Sequence, residues 1–99
     1  MTHKKGQAKR LDLAKVLDLN EATVLHGKLM SMRGSDIIID ASAVDRIGAL
    51  CAQVLMAAAK SWEQDDQSFG FSKVSDAFAR TMQLIGINCE HLMVKESGK

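Results

Sequence analysis

The chain has 99 residues, which suits one domain and leaves no room for two cores. It is 46% hydrophobic and 25% charged, and its 13 basic residues against 12 acidic give a net charge of +1. That balance argues against a nucleic-acid binder, which would carry a basic excess on one face. The longest uncharged stretch, residues 47–59, falls well short of the ~20 apolar residues of a membrane span. A basic N-terminus (Lys4, Lys5, Lys9, Arg10) is followed by no apolar run, so a secretory signal is not expected and a cytoplasmic protein is. Cys51 and Cys89 make neither a disulfide framework nor a zinc site, and His3, His26 and His91 are scattered. No metal and no cofactor is expected.

In chain order, residues 1–8 read as a loose tail and residues 9–95 as the domain. Residues 9–19 read as one or two short strands broken near Lys15. Asp18 or Asn20 can cap the next helix, over 21–32, whose apolar face is Ala22, Leu25, Leu29 and Met32. Gly34 supplies its left-handed stop. Residues 36–40 form the clearest strand: three consecutive isoleucines suggest burial on both faces, as in a central parallel strand. A loop over 41–47 follows, then a helix from Gly48 to about Gln64. Phe69 to Phe71 reads as another short strand. Ser75 caps a third helix over 76–85, with Phe78, Met82 and Ile85 as its apolar face and Ala79 alongside. Residues 87–94 read as a closing strand or helical turn. Alternating strands and helices of this kind make an α/β domain, with a mainly parallel sheet and helices packed on it.

Motifs of catalysis are missing. There is no GxGxxG, no GxxxxGK[ST] and no GxSxG. Asp40 and Asp45 could do acid–base work or hold a metal, but a strand-ending Asp40 and a helix-capping Asp45 explain them more simply. Cys51 lies near a helix start, where a thiol pKa would be lowered, yet no base stands nearby; core packing is the favoured role.

Residues 37–50 read Ile37-Ile38-Ile39-Asp40-Ala41-Ser42-Ala43-Val44-Asp45-Arg46-Ile47-Gly48-Ala49-Leu50. This segment resembles the STAS domain, the fold of anti-sigma-factor antagonists. In that family a buried strand ends in Asp-Leu/Ala-Ser, and a short loop reading Asp-Ser/Thr-Ser/Gly-Gly-Leu opens a helix. Ser75-Asp76-Ala77-Phe78 and Leu84-Ile85-Gly86-Ile87 agree with the downstream pattern. Within the family, Leu17 to Ala22, Gln53-Val54-Leu55 and Thr81 to Gly86 are similar to the small STAS proteins of alphaproteobacterial chemotaxis operons, the CheS branch. That resemblance implies a non-enzymatic adaptor for a CheA-like chemotaxis histidine kinase, helping to drain phosphate from a phosphate-sink response regulator. The alternative is an anti-sigma-factor antagonist in a partner-switching pathway.

One departure bears on the choice. Phosphorylatable relatives carry Ser or Thr just before the helix-opening glycine, where this chain has Ile47 beside Arg46. No phosphorylation is expected there, and Ser42 reads as a turn former. Ile47 is either a residue capping the core or an exposed contact. In the helix from Gly48 to Gln64, Leu50, Val54, Leu55, Ala58 and Trp62 are expected to face the sheet. Ala49, Ala52, Gln53, Met56 and Lys60 would then form a smooth outer face. The expected partner surface is Asp45, Arg46, Ile47, Gly48, Ala49, Ala52, Gln53 and Met56.

Overall fold

The computed structural model describes residues 8–87 and 92–93. The expected tail (apart from Ala8), Cys89, His3 and His91 lie outside them. Eight elements follow in order: β1 (Lys9–Asp12), β2 (Val16–Leu17), α1 (Leu19–Ser31), β3 (Ile37–Ala41), β4 (Arg46–Ile47), α2 (Ala49–Gln64), β5 (Phe69–Val74) and α3 (Asp76–Leu84). The strands form a parallel sheet of order β1-β3-β5 and a separate parallel pair, β2-β4. The α/β architecture expected from alternation is the one observed. The loop expected over 41–47 is shorter, because Arg46 and Ile47 pair with β2.

Sheet register explains which side chains are buried. Leu11 lies opposite Ile39, and Ile39 opposite Phe71. These three are buried on the face that the helices cover. Alternation along a strand sends Arg10, Ile38 and Asp40 to the other face. There Arg10 pairs with Asp40 at 3.4 Å and Ile38 stays half-buried. The expectation of burial on both faces is corrected accordingly: β3 is central, but its second face carries charge. The β3–β5 register slips after Ile39, so that Asp40 meets Lys73 and Ser72 is the extra residue.

Helix ends are set by their caps. The Asp18 carboxylate accepts from the amides of Asn20 (3.1 Å) and Glu21 (3.3 Å), so α1 starts earlier than its apolar pattern suggests. Gly34, at φ +92°, turns the chain back toward β3. Trp62, fully buried on α2, donates its indole N–H to the Ser35 carbonyl at 2.7 Å and pins α2 to that turn. From Trp62 the aromatic rings run through Phe69 and Phe71 to Phe78, with centroids 5.8, 5.8 and 5.4 Å apart. This chain locks α2, β5 and α3 together, each contact adding about 0.5–1.5 kcal/mol beyond its area. Phe78 and Met82 are the buried residues of α3; Ile85, expected on its apolar face, is the C-cap after the helix ends at Leu84 and is exposed, as is Ala79 alongside. Of the expected closing element, the described residues are Ile87, Leu92 and Met93, and Met93 makes one parallel bridge to Phe71.

Ser75 does two tasks. Its hydroxyl accepts from the Phe78 amide at 3.0 Å and donates to the Val44 carbonyl, joining α3 to the segment before β4. Replacing Ser75 by Ala removes both bonds. The expected cost is about 1–2 kcal/mol, read in thermal unfolding as a fall in Tm of about 4–8 °C per kcal/mol for a domain of this size.

Candidate functional site

Between β3 and α2 the chain makes a tight, fully specified turn. Asp40 accepts from the Ser42 amide at 2.9 Å and from the Ser42 hydroxyl at 2.6 Å, which is the turn expected of Ser42. The fully buried Val44 then anchors the turn. The amides of Asp45 and Arg46 both donate to the Lys15 carbonyl, at 2.7 and 3.2 Å. Val16 pairs with Arg46 and Leu17 with Ile47, and the Gly48 amide donates to the Leu17 carbonyl at 2.9 Å. Gly48 is the N-cap of α2.

This arrangement sorts the expected partner residues by exposure. Asp45, Arg46, Gly48, Ala49 and Gln53 are exposed. Ile47 is only 5% exposed and Ala52 is fully buried, so neither offers a contact surface. For Ile47 the choice left open by the sequence falls to core packing, since the β2–β4 ladder points its side chain inward. Ala52 reflects an error of helix phase. The buried line of α2 is Cys51, Ala52, Leu55, Ala58 and Trp62, while Leu50 is 44% exposed and Val54 half-buried. Met56 is half-buried and sits on the β5 side, lining a groove with Phe69 and Leu92.

Electrostatics at the turn are simple. The two hydrogen bonds from Ser42, side chain first and backbone second, hold the Asp40 carboxyl below its ordinary pKa against the opposing effect of burial, and the charges of Arg10 and Lys73 add to the lowering. Asp45 faces Lys15 at 3.8 Å and does not cap α2, correcting that expectation; the cap is Gly48, which has no side chain to offer. Among the described residues no group of three or more His, Cys, Asp or Glu comes together to hold a metal. Burial pushes the Cys51 thiol up, helped by the charges of Asp18 and Glu21, and the Sγ contacts the Asp18 carbonyl at 3.3 Å. The packing role expected for Cys51 is the one observed.

The structure also brings in residues the sequence reading missed. Val16, Leu19 and Leu50 are 37%, 71% and 44% exposed; Val16 pairs with Arg46, Leu19 opens α1 and Leu50 lies in the first turn of α2. A shallow groove there is lined by Val16, Leu17, Asp18, Arg46, Ile47 and Gly48. Arg46 forms no ion pair among the described residues. The first turn of α2 holds no acidic residue to offset the positive end of the helix dipole. The junction therefore sets Arg46 beside exposed apolar side chains and the carboxylates of Asp18 and Asp45, and among the described residues no nucleophile stands there with a positioned base.

Against known protein families, residues 1–95 match the model described as "Mlab, STAS domain". The chain belongs to the STAS-domain family. A search of curated proteins finds no match. STAS domains are in general binding and regulatory domains. In this STAS domain the position that precedes the helix-opening glycine is the buried Ile47.

Two measurements check the site. Ala52→Glu places an unpaired charge in the core and is expected to cost at least about 3 kcal/mol, whereas Gln53→Glu, one residue on, stays within about 0.5 kcal/mol of wild type; urea titrations of both variants fix the phase of α2. The second follows from Asp40. Its pKa is lower folded than unfolded, so its stabilisation is present above the unfolded value and is lost as pH falls through the folded one. Ser42→Ala is therefore expected to lower Tm near neutrality, with the gap to wild type closing as the pH is taken below the carboxylate range.

Proposed function

We propose that this STAS domain is a non-enzymatic, cytoplasmic adaptor that binds a CheA-like histidine kinase of a chemotaxis pathway and promotes removal of phosphate from a phosphate-sink response regulator. Its contact surface is the β4–α2 junction: Asp45, Arg46, Gly48, Ala49 and Gln53, rimmed by Val16, Leu19 and Leu50. The observation that carries this reading is Ile47. Relatives that switch by phosphorylation need a hydroxyl at that position, and here a buried isoleucine fills it. Without that hydroxyl the domain stays in one binding state, as an adaptor requires and a partner-switching antagonist does not.

The chemotaxis assignment draws its support from the segments Leu17 to Ala22, Gln53-Val54-Leu55 and Thr81 to Gly86. The non-enzymatic reading draws on the absence of any nucleophile with a positioned base at the junction among the described residues. No helix among them is long and apolar enough to cross a membrane. The near-neutral net charge gives no footprint for nucleic acid. An adaptor of this kind acts only through its differential affinity for two states of the kinase.

The test is decay of the phosphorylated sink regulator with kinase alone, with this protein alone and with both. Faster decay is expected only with both present, and Arg46→Glu is expected to reduce it at least about tenfold by reversing the charge at the centre of the contact. Faster decay with this protein alone makes it a phosphatase. Unchanged decay in every arm, together with binding to an anti-sigma factor, selects the partner-switching alternative.

A further inference from the structure

Among the described residues no strand pairs with the outer edge of β1, which lies first in the order β1-β3-β5. The parallel ladder fixes what that edge presents. The Lys9 amide donates to the Asp36 carbonyl at 2.8 Å and the Leu13 amide to the Asp40 carbonyl at 2.9 Å, so the odd-numbered residues turn their N–H and C=O groups toward β3. Arg10 and Asp12 turn theirs outward, and neither amide has a partner among the described residues. Side chains alternate with the same period. Leu11 and Leu13 are buried under the helices, while Arg10 and Asp12 stand exposed on the opposite face.

The charges along this edge are sorted by end. α1 lies in the crossover between the parallel strands β1 and β3, so it runs back against them. Glu21 therefore stands toward the end of β1 and Lys28 toward its start, and with Leu11, Asp12, Leu13 and the 47% exposed Val24 they line one groove. The start of the edge is basic (Lys9, Arg10, Lys28) and its end acidic (Asp12, Glu21). Other charges nearby are already engaged: Asp40 with Arg10 at 3.4 Å, Asp36 with the Ser68 amide at 2.8 Å and Lys15 with Asp45 at 3.8 Å. Asp12 forms no ion pair among the described residues.

Charges on an edge strand ordinarily repel other strands. A second β1 escapes this in one register. Two copies related by a two-fold axis normal to the sheet pair antiparallel, and both the outward backbone groups and the shared helix face require even-numbered residues to meet even-numbered ones. An axis at Arg10 opposes that arginine to itself, and an axis at Asp12 does the same to the aspartate. An axis at Leu11 sets each Arg10 opposite Asp12 of the second copy, where the two residues exchange both backbone hydrogen bonds. Lys9 then lies opposite Leu13 of the second copy, at the Glu21 end of that copy's groove, and Lys28 is turned toward the same end. We propose that a second copy of this chain pairs with β1 in this register, joining two three-stranded sheets into one with the helices of both copies on the same face. The edge is residues 9–13 with the flank of α1 beside them, none of which belongs to the contact surface at the β4–α2 junction. The inference goes beyond the adaptor reading and does not depend on which partner the junction binds.

Sedimentation equilibrium of the full chain, with amide exchange followed by NMR, tests it. The mass is expected to rise with concentration from 10.8 kDa toward twice that value. The amides of Arg10 and Asp12 are expected to exchange at least about tenfold more slowly in the dimer than in the monomer. Arg10→Asp and Asp12→Arg are each expected to weaken self-association at least about tenfold, because each sets like charges opposite one another. An equimolar mixture of the two variants is expected to regain it, since every acidic position of one then meets a basic position of the other. A mass of 10.8 kDa up to about 1 mM overturns the proposal. A dimer whose Arg10 and Asp12 amides exchange as fast as in the monomer is built on another face and overturns it equally, and this readout needs neither variant. So does a mixture of the variants, both folded by circular dichroism, that associates no better than either alone.

Discussion

Everything distinctive about this domain depends on a ladder of two residue pairs. Leu17 and Ile47 lie opposite one another in the β2–β4 ladder, and the Gly48 amide closes it on the Leu17 carbonyl. The pairing fixes where α2 begins, because Gly48 leaves the ladder as the N-cap of that helix. It brings the start of α1 beside the start of α2, since Asp18 follows β2 directly. It also turns Ile47 into the core and Arg46 out of it. The start of α2, the burial of Ile47 and the exposure of Arg46 thus share one cause.

The remaining structure holds that junction still. Ser75 reaches from α3 to the Val44 carbonyl, and the Asp40–Ser42 turn shapes the exit from β3. Trp62 ties the far end of α2 to the turn before β3, and the aromatic chain behind it closes the core. Elements braced in this way have little conformational entropy left to lose on docking.

How legible each part was in the sequence follows from how local its signal is. Residues 36–40 declare a strand through three adjacent isoleucines, and Ser75 declares a cap through the residues that follow it. The phase of α2 was not legible. From residue 49 to 59 the helix holds alanine, leucine, cysteine, valine, methionine and one glutamine, so no charge marks the outer side. With apolar residues all round, spacing cannot tell whether Leu50 or Ala52 is buried; only tertiary packing decides. The β2–β4 ladder was hidden for another reason. Two residues per strand leave no alternation to read, and the partners stand thirty positions apart. The exposure of Leu19 and Val16 depends on that ladder and was hidden with it.

The account's central claim is that the β4–α2 junction is the surface a partner grips. Amide hydrogen exchange of the domain, free and bound to the purified kinase, tests it most directly. The account predicts slowed exchange over residues 45–53 and at Val16 to Leu19 on binding, with β5 and α3 unchanged. Protection confined to β5 and α3, or none at the junction in a complex that demonstrably forms, would contradict it.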